Sequence, residues 1–321
     1  VVTFAGPPES VIEAAYKSIA KASELIDMRK HKGAHPRMGA TNVCPIIPIK
    51  NISIEECVEL SKKLGKKISS NLSIPVFLYE YSATSDERRN LANIRSGEYE
   101  GMEVKIAKAS WSPDFGKTSL NKKSGVIAVG VRDFLIAYNV NLNTKDKKKA
   151  TDIALDIREK GRAKRDSNGK IIRDNLGRIL KVPGKLKNVK AVGWYIDEYK
   201  QAQVSINLTN YKATPLYKVF EEVRRQANKR GLRVTGSEIV GLIPKNALLE
   251  VGRFYLKKQK SPLGVPDKDA MDIAIKSLGL NDIATFDFNS SVVENALSEQ
   301  NFLINKNLKS FMDELSRDTA T

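Results

Sequence analysis

Both histidines of the chain lie in one short basic segment, residues 30–49 (KHKGAHPRMGATNVCPIIPI). Pro36 forbids a continuing helix at His35 and biases that residue toward extended backbone. Gly33 and Gly39 allow the chain to turn on either side. Because an imidazole can take up and return a proton near neutral pH, the segment predicts a bent loop with His35 as a general acid–base group. The alternative is a histidine that only packs in a turn.

A second candidate for chemistry is the stretch of residues 111–125 (WSPDFGKTSLNKKSG). Pro113, Gly116 and Gly125 bracket a loop rich in hydroxyl groups and lysines, with Asp114 near its start. Loops of this composition expose backbone N–H groups and can hold an anion or a polar heterocycle. On composition alone, a plain surface connection is the alternative.

The chain has 321 residues, a formal net charge of +17 and two cysteines, Cys44 and Cys57. This length predicts two domains or subdomains, and no apolar run approaches the ~20 residues of a membrane span. Two cysteines cannot form a disulfide framework, which indicates a reducing, cytoplasmic environment. The chain starts without methionine, in residues that read as a strand (VVTFA), and we expect it to be a fragment cut at its N-terminus.

The positive charge, much of it in residues 158–190, is compatible with nucleic acid, an acidic membrane surface or small polyanions as partners. Aromatic residues are not interleaved with the charges, as a stacking surface for single strands requires. Neither a zinc-finger spacing nor an RNP-type sequence occurs. Small anionic substrates are therefore the expected partners, with a lysine-rich solvated surface as the alternative; membrane and nucleic acid are not expected.

Hydrophobic spacing in the first half predicts two helices and two buried strands. One helix follows Pro7, and the next begins at a capping box formed by Ser53 and Glu56 and buries Cys57. The buried strands are expected over residues 43–49 and 74–79, followed by a polar helix-prone segment that ends near residues 97–99.

The second half of the chain predicts the order strand–helix–strand–strand–helix–strand. The predicted elements are a strand, turn and strand over residues 126–142, a helix capped by Thr144, a protruding basic hairpin within residues 162–187, two strands over residues 189–208, a helix with Pro215 at its first position, a strand over residues 234–243 and a helix opened by Pro244. This order favours an α+β fold of two similar units, each a sheet with helices on one face, with a cleft between the units.

Several of these motifs together resemble the glutamate formimidoyltransferase family, the folate-dependent enzymes of histidine breakdown that occur alone or fused to a cyclodeaminase. The motifs are HKGAHPRMGATNVCPIIPI, WSPDFG, FLIAYNVNL, VGWYIDE, QVSINLTN and GSEIVGLIP, in the family's order, and the resemblance runs from residue 1 to about residue 296. It implies two ferredoxin-like subdomains, residues 1–133 and 134–297. Residues 298–321 would form a linker and the start of a cyclodeaminase-like domain.

The resemblance also implies a reaction and its participants. Such enzymes transfer the formimidoyl group of N-formimidoyl-L-glutamate to N5 of tetrahydrofolate, a co-substrate that carries a glutamate tail, and no metal is expected. The family's catalytic histidine falls on His35. Its folate-contacting loop falls on Gly116, Lys117, Thr118, Ser119, Leu120, Asn121, Lys122, Lys123, Ser124 and Gly125. A homodimer is expected.

Four polar residues are further candidates for substrate binding. Arg37 follows the histidine and can hold a carboxylate bidentately. Asn207 and Glu238 lie on matching strands of the second half. Asn42 stands where the family usually has an acidic residue. Structural polar contacts are the alternative for Arg37, Asn207 and Glu238, whereas Asn42 would weaken the activity if the family's carboxylate orients the histidine or the amidinium.

The sequence departs from the family pattern at several points. Ala34 stands where vertebrate members carry an acid, the basic insertion within residues 162–187 is longer than expected, and the family's opening strand and first helix are absent. Three other functions therefore stay open: a sister folate enzyme with a formyl donor, a basic nucleic-acid-binding module, and a protein that binds folate without turnover.

A helical stripe near the C-terminus, made by Leu308, Phe311, Met312 and Leu315, resembles the opening of the cyclodeaminase domain. A plain terminal amphipathic helix is the alternative.

Overall fold

The computed structural model describes residues 2–33 and 36–297, and these divide into two compact units. Unit 1 ends at Asp133 and unit 2 begins at Phe134. Within the described part of the chain, no helix is both long and apolar enough to cross a membrane. The predicted helical stripe at Leu308, Phe311, Met312 and Leu315 lies outside the described residues, as do His35 and Ala34.

Unit 1 contains a sheet of three parallel strands in the order β1-β3-β2. Its elements are α1 (Pro8–Leu25), β1 (Val43–Ile46), α2 (Ile54–Leu72), β2 (Val76–Glu80), α3 (Asp86–Arg89), α4 (Leu91–Arg95), α5 (Glu98–Ile106), a 3-10 turn (Ala109–Trp111) and β3 (Ile127–Val131). Parallel neighbours require crossover connections, and α2 supplies the connection from β1 to β2.

The sheet of unit 1 is covered on both faces. Along β2, Val76 and Leu78 pack with α1 and α2, whereas Phe77 and Tyr79 pack with Met102 of α5 on the opposite face. Since successive strand residues point to opposite faces, both sets are buried only because both faces carry helices, as is usual for parallel sheets. Unit 1 thus differs from the expected plan, in which helices pack on one face of the sheet only.

The predicted helices of unit 1 are confirmed. Pro8 occupies the first turn of α1, and α2 begins at the predicted capping box. In that box Glu56 donates its backbone N–H to Ser53 Oγ over 3.1 Å, and Ser53 donates its own to Glu56 Oε2 over 2.7 Å. Cys57 is buried in the core, 2% exposed, which favours packing over chemistry for this thiol.

Three boundaries in unit 1 differ from the predicted ones. Residues 2–6 do not form the expected opening strand. Strand β1 ends at Ile46 instead of residue 49, close to Pro48, which has no N–H for the ladder. The polar helical segment does not end near residue 97. Gly97, at φ +92°, only interrupts it, and α5 begins at the next residue.

Unit 2 has the predicted order strand–helix–strand–strand–helix–strand, and its antiparallel sheet has the ferredoxin-like arrangement that the family resemblance implies. Its sheet order is β7-β8-β4-β9, and every neighbouring pair is antiparallel. The elements are β4 (Ile136–Leu142), α6 (Lys147–Ile157), β5 (Arg162–Ala163), β6 (Lys181–Val182), β7 (Val189–Ile196), β8 (Gln201–Leu208), α7 (Leu216–Asn228), β9 (Val234–Val240), α8 (Lys245–Lys258), α9 (Asp267–Leu278), α10 (Phe288–Ser291) and α11 (Val293–Ala296). The mixed α+β class of the chain is confirmed.

One face of the unit 2 sheet packs against helices α6 to α9. Tyr138, Val140, Val204 and Ile206 are each at most 1% exposed in that core. The residues that alternate with them, such as Asn139 and Ser205, therefore lie on the opposite face.

Two helix starts in unit 2 differ from the predicted ones. Asp146, and not Thr144, caps α6, because the Asp146 carboxylate accepts the Lys148 N–H over 2.8 Å. Pro215 is the N-cap of α7 instead of its first residue. Helix α9 was not predicted from the sequence. It begins at Asp267, with Pro266 as its N-cap.

The basic insertion is a hairpin, as predicted, in which β5 pairs with β6. Between them lie two similar octapeptides, RDSNGKII and RDNLGRIL, each turning on its aspartate. Asp166 Oδ1 accepts the amides of Asn168 and Lys170, and Asp174 Oδ1 accepts those of two residues at the same spacing. This repeat gives the insertion local order that its charge and glycines had not suggested.

We expect Ser53→Ala to lower the free energy of unfolding by about 1 kcal/mol, because one orphan amide of α2 loses its acceptor. Denaturant unfolding measures this. Ser70→Ala is the matched control: Ser70 is exposed in the same helix and makes no side-chain hydrogen bond with the described residues. Its effect should stay within about 0.5 kcal/mol. Equal effects of the two substitutions would contradict a capping role.

Candidate active site

Unit 1 brings the two sequence-predicted loops into direct backbone contact. We call residues 26–42 the histidine loop and residues 112–125 the lysine loop. Met28 donates its N–H to the carbonyl of Lys123 over 2.8 Å, and Ala40 donates to the carbonyl of Ser124 over 2.9 Å. Val126, just after the lysine loop, donates to the carbonyl of Met38 over 3.0 Å. The histidine loop is therefore joined to the C-terminal end of the lysine loop.

The closest point of this contact is formed by two glycines. Gly39 and Gly125 pair across the loops. A Cβ atom on Gly39 would lie 2.1 Å from the carbonyl oxygen of Val126, and one on Gly125 would lie 2.3 Å from that of Met38. Gly125 also has φ +71°, a left-handed conformation that glycine adopts without strain. Any side chain at either position would separate the loops.

The lysine loop has an exposed part and a structural part. Gly116, Lys117, Thr118 and Ser119 are exposed, as are Lys122 and Lys123. In contrast, the side chain of Asn121 has a structural role. Its Oδ1 accepts the backbone N–H groups of Lys123 and Ser124, and its Nδ2 donates to the Ser73 carbonyl. Ser124 and Gly125 are buried, and Leu120 is half-buried. Ligand contact through side chains is thus best placed at Lys117, Thr118, Ser119 and Lys122, since the Lys123 ammonium already donates to the Glu24 carbonyl over 3.0 Å.

A buried ion pair anchors the start of the lysine loop. The Arg88 guanidinium lies 2.8 Å from the Asp114 carboxylate, and the two side chains are only 9% and 7% exposed. Asp114 also accepts the Leu78 N–H over 2.8 Å, while Arg88 donates to the Ser112 carbonyl over 2.6 Å. Arg88 was missed by the sequence interpretation, since nothing local marks a helical arginine as the partner of a distant aspartate.

Asn42 stabilises the histidine loop at its turn. Its amide group donates to the Pro36 carbonyl over 3.0 Å, and its side-chain oxygen accepts the Met38 N–H over 3.3 Å. A carboxylate could accept the second bond but could not donate the first. Because Pro36 follows His35 directly, Asn42 constrains the backbone next to the predicted catalytic residue. His35 itself lies outside the described residues, so its role stays a prediction.

The Arg37 guanidinium is occupied by protein acceptors. Its Nη2 lies 2.7 Å from Glu100 Oε1 and 2.8 Å from the His31 carbonyl, and Nη1 lies 3.2 Å from Glu100 Oε2. The hydrogen bonds that Arg37 donates to Glu100 raise the pKa of Arg37 and lower the pKa of Glu100. A substrate carboxylate would have to displace Glu100 to reach this guanidinium.

An open depression of about 470 Å³ lies beside the histidine loop and carries charges of both signs. It is lined by Lys32, Gly33, Arg37, Gly97, Glu98 and Glu100. Among the described residues, no group of three or more His, Cys, Asp or Glu side chains is placed to hold a metal ion.

The two candidates in unit 2 lie on the sheet face opposite the helices. Glu238 on β9 faces Asn139 of β4, and Asn207 on β8 faces Ala137 of the same strand. Glu238 Oε1 accepts hydrogen bonds from Asn139 over 2.9 Å and from Gln203 over 3.0 Å. Asn139 and Gln203 were missed, although the polar residues alternating with apolar ones in AYNVNL and QVSINL could have indicated them.

Comparison with known proteins gives matches to both units. The model of the formiminotransferase domain, N-terminal subdomain, matches residues 1–132, and the model of the formiminotransferase domain matches residues 137–298.

Individual relatives agree with these matches. A glutamate formimidoyltransferase of Streptococcus pyogenes is 43% identical over 257 residues, covering 80% of this chain and 79% of its own. The formimidoyltransferase-cyclodeaminases of Rattus norvegicus and Dictyostelium discoideum are 40% and 42% identical over 100% and 93% of this chain, which spans 56% and 52% of their lengths. The chain thus spans about half the length of these two-function relatives.

We expect Gly125→Ala to destabilise unit 1 strongly, because the new methyl group meets backbone atoms and the residue keeps a left-handed φ. Gly169→Ala is the control: Gly169 has a similar φ of +79° but no atom within 4 Å of the added carbon. The control should lose about 1–2 kcal/mol from strain alone, and Gly125→Ala about 1–3 kcal/mol more from overpacking. Thermal and denaturant unfolding compare them. Equal losses would show that the loops can separate freely.

Proposed function

The chain belongs to the formiminotransferase family, and we propose that it transfers the formimidoyl group of N-formimidoyl-L-glutamate to N5 of tetrahydrofolate. The products are 5-formimidoyltetrahydrofolate and L-glutamate, in histidine degradation. The observation that carries the proposal is the backbone contact between the histidine loop and the lysine loop. This contact joins described residues of the histidine loop to the predicted folate loop, in a chain that matches the family over both units.

The chemistry needs one proton removed and one delivered. Attack of N5 on the amidine carbon forms a tetrahedral intermediate, from which the glutamate nitrogen departs. A base must take the N5 proton, and an acid must protonate the leaving nitrogen. We assign both roles to His35, acting first as base and then as acid. Asn42 and Arg37 support this assignment, since they hold the chain on the two sides of His35.

We assign tetrahydrofolate to the lysine loop. Its exposed residues, Gly116, Lys117, Thr118, Ser119 and Lys122, offer backbone N–H groups, hydroxyls and two ammonium groups. Both substrates are anionic, and folates carry glutamate tails, so the net charge of +17 favours their capture. No metal is part of the proposed mechanism.

We also propose how the chain is organised into domains and assembled. Residues 1–133 and 134–297 would act as two subdomains of a protein that forms a cytoplasmic homodimer. Residues 298–321 would begin a cyclodeaminase domain. The names of the Rattus norvegicus and Dictyostelium discoideum relatives support this fusion, because they include a cyclodeaminase.

We expect His35→Ala to abolish turnover of N-formimidoylglutamate with tetrahydrofolate, by at least about 100-fold, while tetrahydrofolate still binds. A spectrophotometric assay and a binding titration on the same preparations measure the two quantities. His31→Ala is the matched control and should keep turnover, since the family motif falls on His35. Folate binding without turnover in the wild-type chain would leave a binding protein; turnover with a formyl donor only would identify a sister enzyme.

For Arg37 we expect a positioning role, because its guanidinium is already satisfied by Glu100 and the His31 carbonyl. Arg37→Lys and Glu100→Gln should each lower kcat by about 3- to 10-fold, and the double variant should be no worse than either alone. Steady-state kinetics provide the readout. Glu103→Gln, on the same helix and without an ion pair to any described residue, should be neutral. If Arg37 instead binds a substrate carboxylate, Arg37→Lys will raise KM and Glu100→Gln will not lower kcat.

A further inference from the structure

A directed chain of hydrogen bonds crosses the sheet face of unit 2 that lies opposite the helices. The Trp194 indole N–H donates to Gln203 Oε1 over 2.9 Å. Gln203 Nε2 donates to Asn141 Oδ1 over 2.8 Å and to Glu238 Oε1 over 3.0 Å. Asn141 then donates to the Asp282 carboxylate over 2.8 Å. The chain thus links all four strands of the sheet, β7, β8, β4 and β9, and ends on carboxylates.

The orientation of every amide in this chain is set by chemistry. An indole N–H can only donate, so Gln203 must present its oxygen to Trp194 and its nitrogen to the other side. A carboxylate can only accept, so Asn141 must present its nitrogen to Asp282 and its oxygen to Gln203. Asn139 likewise presents its nitrogen to Glu238. Reversal of any one amide would place donor against donor or acceptor against acceptor.

The result for Glu238 is an asymmetric carboxylate. Its Oε1 accepts two hydrogen bonds from side chains that are almost completely buried, Gln203 at 0% and Asn139 at 5% exposed. Its Oε2 accepts none from the described residues, and the side chain is only half-buried. Two amides therefore fix the position of the carboxylate while one oxygen is left for another group.

We propose that Glu238 binds a planar N–C–N donor edge of a substrate, an inference that rests on the proposed function. Carboxylates recognise such edges through charge-assisted, often paired hydrogen bonds. Both proposed substrates carry one: the formimidoyl amidine of the donor, and the 2-amino and N3–H groups of the pterin ring. The NH2 groups of Asn139 and Gln203 already donate to Oε1 of Glu238. A ligand that binds at Oε2 must therefore bring its own hydrogen-bond donor.

The test uses Glu238→Gln in the full chain. Glutamine keeps the shape and can still accept from Asn139 and Gln203, but it then turns an NH2 group toward the ligand and has no charge. Calorimetric titration with tetrahydrofolate alone and with N-formimidoylglutamate alone gives a Kd for each. We expect one of the two to weaken by about 10- to 100-fold and the other to change less than about twofold.

The affected ligand identifies the edge. A weaker Kd for tetrahydrofolate assigns Glu238 to the pterin, and a weaker Kd for N-formimidoylglutamate assigns it to the amidine. Asp282→Asn is the matched control, since it removes the other carboxylate that ends the same hydrogen-bond chain. It should change both values less than about twofold, and unfolding curves verify that both variants are folded.

Failure of this inference is separable from failure of the proposed function. Unchanged Kd values in a folded Glu238→Gln variant would overturn the inference while wild-type turnover stays intact. Equal weakening in Asp282→Asn would also overturn it, because the hydrogen-bond chain would then act only as structural support. If the wild-type chain bound neither ligand, the proposed function itself would fall, and the inference with it.

Discussion

The close approach of Gly39 and Gly125 is the constraint on which the candidate site of unit 1 depends. Backbone meets backbone at this point, with room for no Cβ atom on either residue. The hydrogen bonds from Met28, Ala40 and Val126 on the two sides hold the loops in register only while this gap stays closed. Two residues without side chains thus decide where the polar side chains of both loops lie.

The surroundings of these loops show how the protein keeps them in place. Asp114 and Arg88 anchor the lysine loop at its start. They form a buried ion pair, and each side chain also makes a hydrogen bond with a backbone group. Removing one member of such a pair leaves a buried charge without a partner, so loss of either side chain alone should destabilise the anchor strongly. The histidine loop is held more lightly, by Asn42 and Arg37, whose contacts flank the predicted catalytic residue.

The two units use their sheets differently. In unit 1 both sheet faces are buried under helices, so polar groups can gather only in the loops at the strand ends. In unit 2 helices α6 to α9 pack on one face, and the opposite face carries a row of amides that ends on carboxylates. Buried polar groups of this kind are stable only when each has its partner, and here donor-only and acceptor-only ends fix the direction of the whole row.

Local patterns in the sequence determined much of this protein. The capping box at Ser53 and Glu56, the core spacing of α1 and α2 and the strand–helix order of unit 2 all follow from residues within one or two turns of each other. The family motifs likewise marked both loops before any contact between them was known.

Only the tertiary structure decided which polar groups meet. Arg37 and Glu100 are 63 residues apart, and Asn139 and Glu238 are 99 apart. No periodicity connects such residues, because their contact depends on strand order and loop packing. For the same reason, the order β1-β3-β2 in unit 1 was decided by the tertiary structure, because a short apolar strand has the same pattern whichever neighbour it pairs with. The parallel direction, in contrast, is compatible with the predicted strand–helix–strand order of residues 43–79, since such a helix serves as a crossover connection.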